Sequence, residues 1–183
     1  MKSLTLAAGV ALVAIPLSTA DAAVYSLGGP MSRLCYESAL SRDARPVAME
    51  NCDRSIREES LTVPDRAATY VNRGILHMVR GHGVDADADF DAALKLDGDL
   101  PDAWLNKGFL RIRQGKGREA LPLIEEGIKR GPQRQALALF ARGVANEQMG
   151  NYRAAYNDLR QARELEPSWS MPSEYLARYR VGR

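Results

Sequence analysis

Cysteine, histidine and aspartate are the side chains in this sequence with chemistry to offer. Cys35 and Cys52 are its two cysteines, and 17 positions separate them. In an oxidising compartment they would form a disulfide; in a reducing one they would sit as two small buried hydrophobes. No Cys-x-x-Cys spacing occurs, so thiol exchange finds no support. His77 and His82 are the two histidines. Five positions across a helix end is poor geometry for a shared metal, and no other Cys or His completes a set. Asp85, Asp87, Asp89 and Asp91 alternate as calcium-loop ligands do. An EF-hand loop needs a glycine after its third ligand and a glutamate at its end, and Phe90 and Leu96 stand there instead. The run reads as the solvated face of a helix, and no metal is expected. No Gly-x-Ser-x-Gly, Walker loop or dinucleotide fingerprint occurs, so neither a catalytic residue nor a cofactor is expected.

The state of the cysteines depends on the compartment. Lys2 opens the chain with a positive charge, residues 4–17 form an apolar run broken by Pro16, and Ala20-Asp21-Ala22 follows with small residues at the spacing of a signal-peptidase site. The run is short for a membrane span. Residues 1–22 are therefore expected to be a cleaved export signal, with the mature chain starting near Ala23 in the periplasm or outside the cell. In that setting the cysteine pair is expected to be bridged.

The elements that position these residues follow from a repeat. Gly74, Gly108 and Gly143 stand 34 and 35 residues apart. Gly81, Gly115 and Gly150 keep the same register, as do Ala86, Ala120 and Ala155, then Phe90, Ile124 and Leu159, then Ala93, Gly127 and Ala162. Each copy has two stretches of helical apolar spacing, at 66–80 and 84–96, 102–114 and 118–129, 135–149 and 152–165. The later glycines fit helix ends, where a left-handed residue closes the last turn. The earlier glycines and the alanines let two helices approach, and the Phe90 column fills the gap. Pro101, Pro132 and Pro167 fall in connections. Pro122 stands just inside a second helix and predicts a kink or a late start. Two more helices are expected at 32–41 and 46–58, and a short one opened by Pro172, with Tyr175, Leu176 and Tyr179 on one face.

These residues resemble the tetratricopeptide repeat, whose pattern of aromatic, Leu-Gly, Tyr, Ala, Phe and late Pro spans 34 residues. Trp104, Leu105, Gly108, Ala120 and Pro132 carry it in the second copy; Tyr70, Gly74, Ala86 and Phe90 in the first; Gly143, Ala155, Leu159, Ala162 and Pro167 in the third. The chain departs from the pattern in two columns. Arg73, Lys107 and Arg142 replace the leucine, a mild change within the family; His77, Arg111 and Asn146 replace the tyrosine, and this second change predicts a looser contact inside each pair. The resemblance implies an all-α, right-handed solenoid of antiparallel helix pairs. Its expected divisions are a degenerate N-terminal pair with Cys35 and Cys52 at 23–62, then a repeat domain at 63–183. That domain would hold repeats at about 67–100, 101–134 and 136–169, and a capping helix at about 172–180. In the register of the degenerate pair the two cysteines face each other.

The resemblance also implies a function: first helices lining a concave groove that holds a protein or peptide. The groove positions are Val71, Asn72, Ile75, Leu105, Asn106, Phe109, Arg113, Phe140, Ala141 and Val144. Asn72 and Asn106 stand where family members place an asparagine against a ligand's backbone. Where some family grooves carry lysines and arginines for a chain-end carboxylate, this chain has Val71, Leu105, Leu137 and Ala141. An apolar internal or helical segment is therefore the expected ligand. A self-associating structural protein is the alternative, with a homo-oligomer as its product, and an accessory domain of an enzyme is a third reading. A net charge of +2 without a basic run argues against nucleic acid as partner. No membrane span is expected once the signal is removed.

Overall fold

The computed structural model describes residues 4–6, 22–26 and 28–181, so most of the expected signal lies outside the described residues. Nine helices are described: α1 Pro30–Ser41, α2 Pro46–Glu58, α3 Val63–Val79, α4 Gly83–Leu96, α5 Pro101–Arg113, α6 Gly117–Lys129, α7 Gln135–Gln148, α8 Tyr152–Leu165 and α9 Ser170–Leu176. They pack as antiparallel pairs, α1 with α2, α3 with α4, α5 with α6 and α7 with α8, stacked so that α1, α3, α5 and α7 also touch in series. The architecture is an all-helical repeat stack.

The glycine columns set how closely each pair approaches. A Cβ on Gly74 would lie 2.5 Å from Phe90 Cε1, on Gly108 2.5 Å from Ile124 Cγ1, and on Gly143 3.0 Å from Leu159 Cγ. Each glycine is thus the socket for the large residue sixteen positions on. Gly81, Gly115 and Gly150 adopt φ of 79°, 72° and 78° just after α3, α5 and α7. Only glycine takes this left-handed conformation without Cβ strain.

The columns that depart from the family pattern carry charged contacts between helices. Arg73 on α3 grips Asp89 on α4 at 2.6 and 2.9 Å and reaches Asp53 on α2 at 2.7 Å. Arg142 makes the same two-pronged contact with Asp158 at 2.6 and 2.9 Å. In the second copy Leu123 stands where the aspartate would be, and Lys107 turns back to Asp87 and Asp91 on α4. Arg111 joins it by pairing with Asp87 at 2.8 Å.

A late start of the helix at Pro122 and the length of the terminal helix are corrected. Helix α6 does not start late: it begins at Gly117 and runs through Pro122. Pro122 is on the exposed face, and so is Arg118, whose carbonyl loses the proline's missing donor and can turn to water. The terminal helix is shorter than 172–180, ending at Leu176. Tyr179–Val181 (β2) is extended and pairs antiparallel with Leu4–Leu6 (β1). This extension lets the Tyr179 hydroxyl donate to Glu147 at 2.6 Å, while Arg178 pairs with the same carboxylate at 3.0 Å.

Cys35 on α1 and Cys52 on α2 form a disulfide, with Cα atoms 4.8 Å apart and both residues fully buried. The pair is also tied at its open end. Gly29 offers α1 no side-chain cap, and Glu59, just past α2, supplies one by accepting from the N–H groups of Met31 and Ser32 at 2.8 and 3.0 Å. Burial alone would raise the Glu59 carboxyl, but bonds from Ser55, Met31 and Ser32 hold it below its ordinary value.

Candidate functional site

Helices α3 and α5 each present one asparagine to the inner face of the stack, 34 residues apart in sequence. Both Asn72 and Asn106 are fully buried. A buried carboxamide needs a donor and an acceptor opposite it. Here the chain supplies both from its own residues 22–26, which belong to no helix or strand. Asn72 Oδ1 accepts from Val24 N–H at 2.9 Å, and Asn72 Nδ2 donates to the Val24 carbonyl at 2.7 Å. Asn106 treats Ala22 in the same way, at 3.2 and 3.0 Å, and its Nδ2 also donates to the Asp102 carbonyl at 2.8 Å. Two side chains one repeat apart thus hold alternate residues of one non-helical segment by both backbone groups of each. In the third copy this position is Ala141, so the series has two seats.

The segment closes over apolar surface as well. Ala22 joins the buried cluster that includes Leu105, Phe109, Phe140, Ala141 and Val144. Ala23 and Val24 pack against the cluster that holds Val71 and Ile75. Every residue assigned to the groove from sequence is closed to solvent in this arrangement, except Arg113, which is exposed and donates to the Met78 carbonyl at 3.2 Å. Phe140 also has partners outside the groove. It lies between Trp169 and Tyr175, with ring centroids 4.9 Å from each.

The anchor continues past the groove. Ser26 is buried and its hydroxyl donates to Asp65 at 3.3 Å, while the ring of Tyr25 meets Tyr36 edge-on at 5.3 Å. Sequence reasoning missed this occupant. The asparagines hold it by N–H and C=O groups, which every residue carries, so that part of the contact leaves no pattern to read.

Asp102 lies one turn before Asn106 and is 8% exposed. Burial pushes its carboxyl up to about 6, against the pull of its own backbone N–H and of Arg134. An acid whose folded value exceeds its unfolded one holds its proton more tightly when folded. The ionised form therefore costs stability above about pH 6, and the cost fades as pH falls toward 4. Asp102→Asn should raise stability by about 1–3 kcal/mol near pH 8. Near pH 3.5, below both values, it should do little. Urea titrations at the two pH values check this.

The histidines come closer than their spacing suggests. His77, His82 and Asp85 bring ligand atoms within 4.8 Å of one another. That is wider than the roughly 3.4 Å between neighbouring ligands on a tetrahedral zinc. Burial, ahead of the attraction of Asp89 and Asp85, keeps the His77 imidazole below its ordinary value. A depression of about 410 Å³ among α4, α5 and α6 is lined by Asp87, Asp91, Arg111, Lys116 and Glu119. These charges already pair with each other or with Lys107. No described helix is long and apolar enough to cross a membrane.

No protein-family model and no curated protein sequence matches the chain. Among solved structures, the first TPR domain of the human RPAP3 protein is similar at 19% identity and a TM-score of 0.59, covering 62% of this chain and 89% of that one. MamA from Desulfovibrio magneticus RS-1, from residue 41 to its end, is similar at 22% identity and a TM-score of 0.63, covering 81% of this chain and 82% of that one.

Proposed function

We infer that this chain, which has the tetratricopeptide-repeat fold, works in the periplasm or outside the cell as a protein-interaction scaffold whose groove takes an extended apolar polypeptide segment. One observation carries this reading: Asn72 and Asn106 each pair with both backbone groups of one residue, at alternate positions of one non-helical segment. Strand backbone leaves these groups free to bond sideways, whereas a helix uses them internally. The extended form is therefore favoured over the helical one that sequence left open. The Ala20-Asp21-Ala22 site and the buried Cys35–Cys52 bridge support the exported setting.

The test is to supply the occupant in trans. A chain starting at Gly28 lacks the resident segment, and circular dichroism reports whether it keeps its helices. A peptide copying residues 20–27 should bind it and raise its melting temperature with increasing concentration. The same peptide methylated on the backbone nitrogens of Ala22 and Val24 should not. A folded chain indifferent to both peptides would sink the reading.

A further inference from the structure

The two seats of the groove stand on opposite sides of the expected export cleavage. Ala22, held by Asn106, is the last residue of the leader; Val24, held by Asn72, belongs to the mature chain. We propose that removal of the leader after Ala22 turns the Asn106 seat into a binding site for the carboxyl-terminal end of a polypeptide finishing in a small residue, while Val24 stays on Asn72. This rests on the reading of the groove as a seat for extended backbone.

The chemistry follows from the cut. A signal peptidase adds water across the Ala22–Ala23 amide, leaving a carboxylate on Ala22 and an ammonium on Ala23. When the leader departs, Asn106 Oδ1 loses the Ala22 N–H and its Nδ2 loses the Ala22 carbonyl, keeping only Asp102 O. The vacated carboxamide then offers one acceptor and one donor to the open seat, which a ligand backbone can match as Ala22 did. The mature segment holds its place through Asn72, the Ser26–Asp65 bond, the Tyr25–Tyr36 contact and its short link to α1.

Two features define the ligand. Ala22 is 3% exposed and its methyl group lies in a buried apolar cluster, so a small apolar side chain suits its seat. A strand continuing along the groove would run into Ala23, so the ligand must end at the seat. Its terminal carboxylate then meets the Ala23 ammonium. This supplies the cation that Val71, Leu105, Leu137 and Ala141 do not, and it allows a chain end that the side chains alone disfavour.

The experiment compares a chain starting at Ala23 with one starting at Ala20, which keeps the seat filled covalently and has every helix. The probe is a peptide copying residues 16–22, as the free acid and as the carboxamide. The free acid should bind the Ala23 chain at least tenfold more tightly than the Ala20 chain, and more tightly than the carboxamide. The Val24 amide should stay protected from hydrogen exchange in both chains. Equal binding to the two chains, no binding to either, or a Val24 amide that becomes unprotected at Ala23 would overturn the proposal. Binding of the 20–27 peptide to the chain starting at Gly28 then tells whether only this inference failed, or the groove reading with it.

Discussion

Phe140→Ala is expected to cost about 3–5 kcal/mol of stability, the range for deleting a fully buried aromatic ring. The ring is 1% exposed and sits between Trp169, just before α9, and Tyr175 within it. Both contacts have the tilted or edge-on geometry that aromatic pairs prefer. Without the ring, α9 loses its grip on α7, and Tyr175, itself 2% exposed, is left against a void. In a repeat stack each unit leans on its neighbours, so loosening the cap exposes the apolar face of the last pair. The melting temperature should fall by on the order of 10 °C for a chain of this size. Urea midpoints with unchanged slope would give the free energy directly. Read from sequence alone, the same variant is a binding mutant. Titrating the 20–27 peptide against folded Phe140→Ala lacking residues 1–27 separates the two. Affinity per folded molecule should be close to that of the same truncation with Phe140 intact. A variant of wild-type stability with weakened peptide binding would make Phe140 a ligand-binding residue rather than a prop for α9.

What the sequence made legible is the part of the fold that packing dictates position by position. The Gly74 column can be read because nothing larger fits against Phe90, Ile124 and Leu159, and the Gly81 column because a left-handed turn is needed there. The Arg73 column looked like a departure, yet its reason was present as an aspartate sixteen residues later in the first and third copies. Leu123 breaks that pattern in the second, which hid it. The asparagines were legible as backbone holders, since a carboxamide on an inner face has few other uses. What they hold was not, because the asparagines grip Ala22 and Val24 by N–H and C=O groups, and the small apolar side chains that pack beneath form no distinctive pattern. Tyr179 was misplaced on a helix because its apolar spacing continues past Leu176, whereas the pull of Glu147 depends on where α7 ends in space.

Loss of the Cys35–Cys52 bridge is the other large expected effect. The two residues are 17 positions apart in sequence. Cross-linking a loop of that size removes enough unfolded-state entropy for about 3 kcal/mol in the chain-entropy model. The double variant Cys35→Ala, Cys52→Ala should lose about that much, and both sites are fully buried, so two missing sulfur atoms add to the cost. The consequence reaches the groove. Glu59 holds the start of α1 only while α1 and α2 stay in register, and the start of α1 fixes the link to Ser26 and Val24. Hydrogen exchange on the double variant should therefore show α1 and the Val24 amide opening at lower free energy than α5 to α8, which lie beyond α3 and α4 in the stack. Keeping the bridge and removing the cap with Glu59→Gln is the control. It should free the first turn of α1 while leaving the Cys35 region protected. Equal loss of protection along the whole chain would mean that the stack unfolds as one unit and the bridge serves all of it. An unchanged midpoint on reducing the wild type, with both thiols shown by labelling to be free, would mean that packing alone holds α1 to α2.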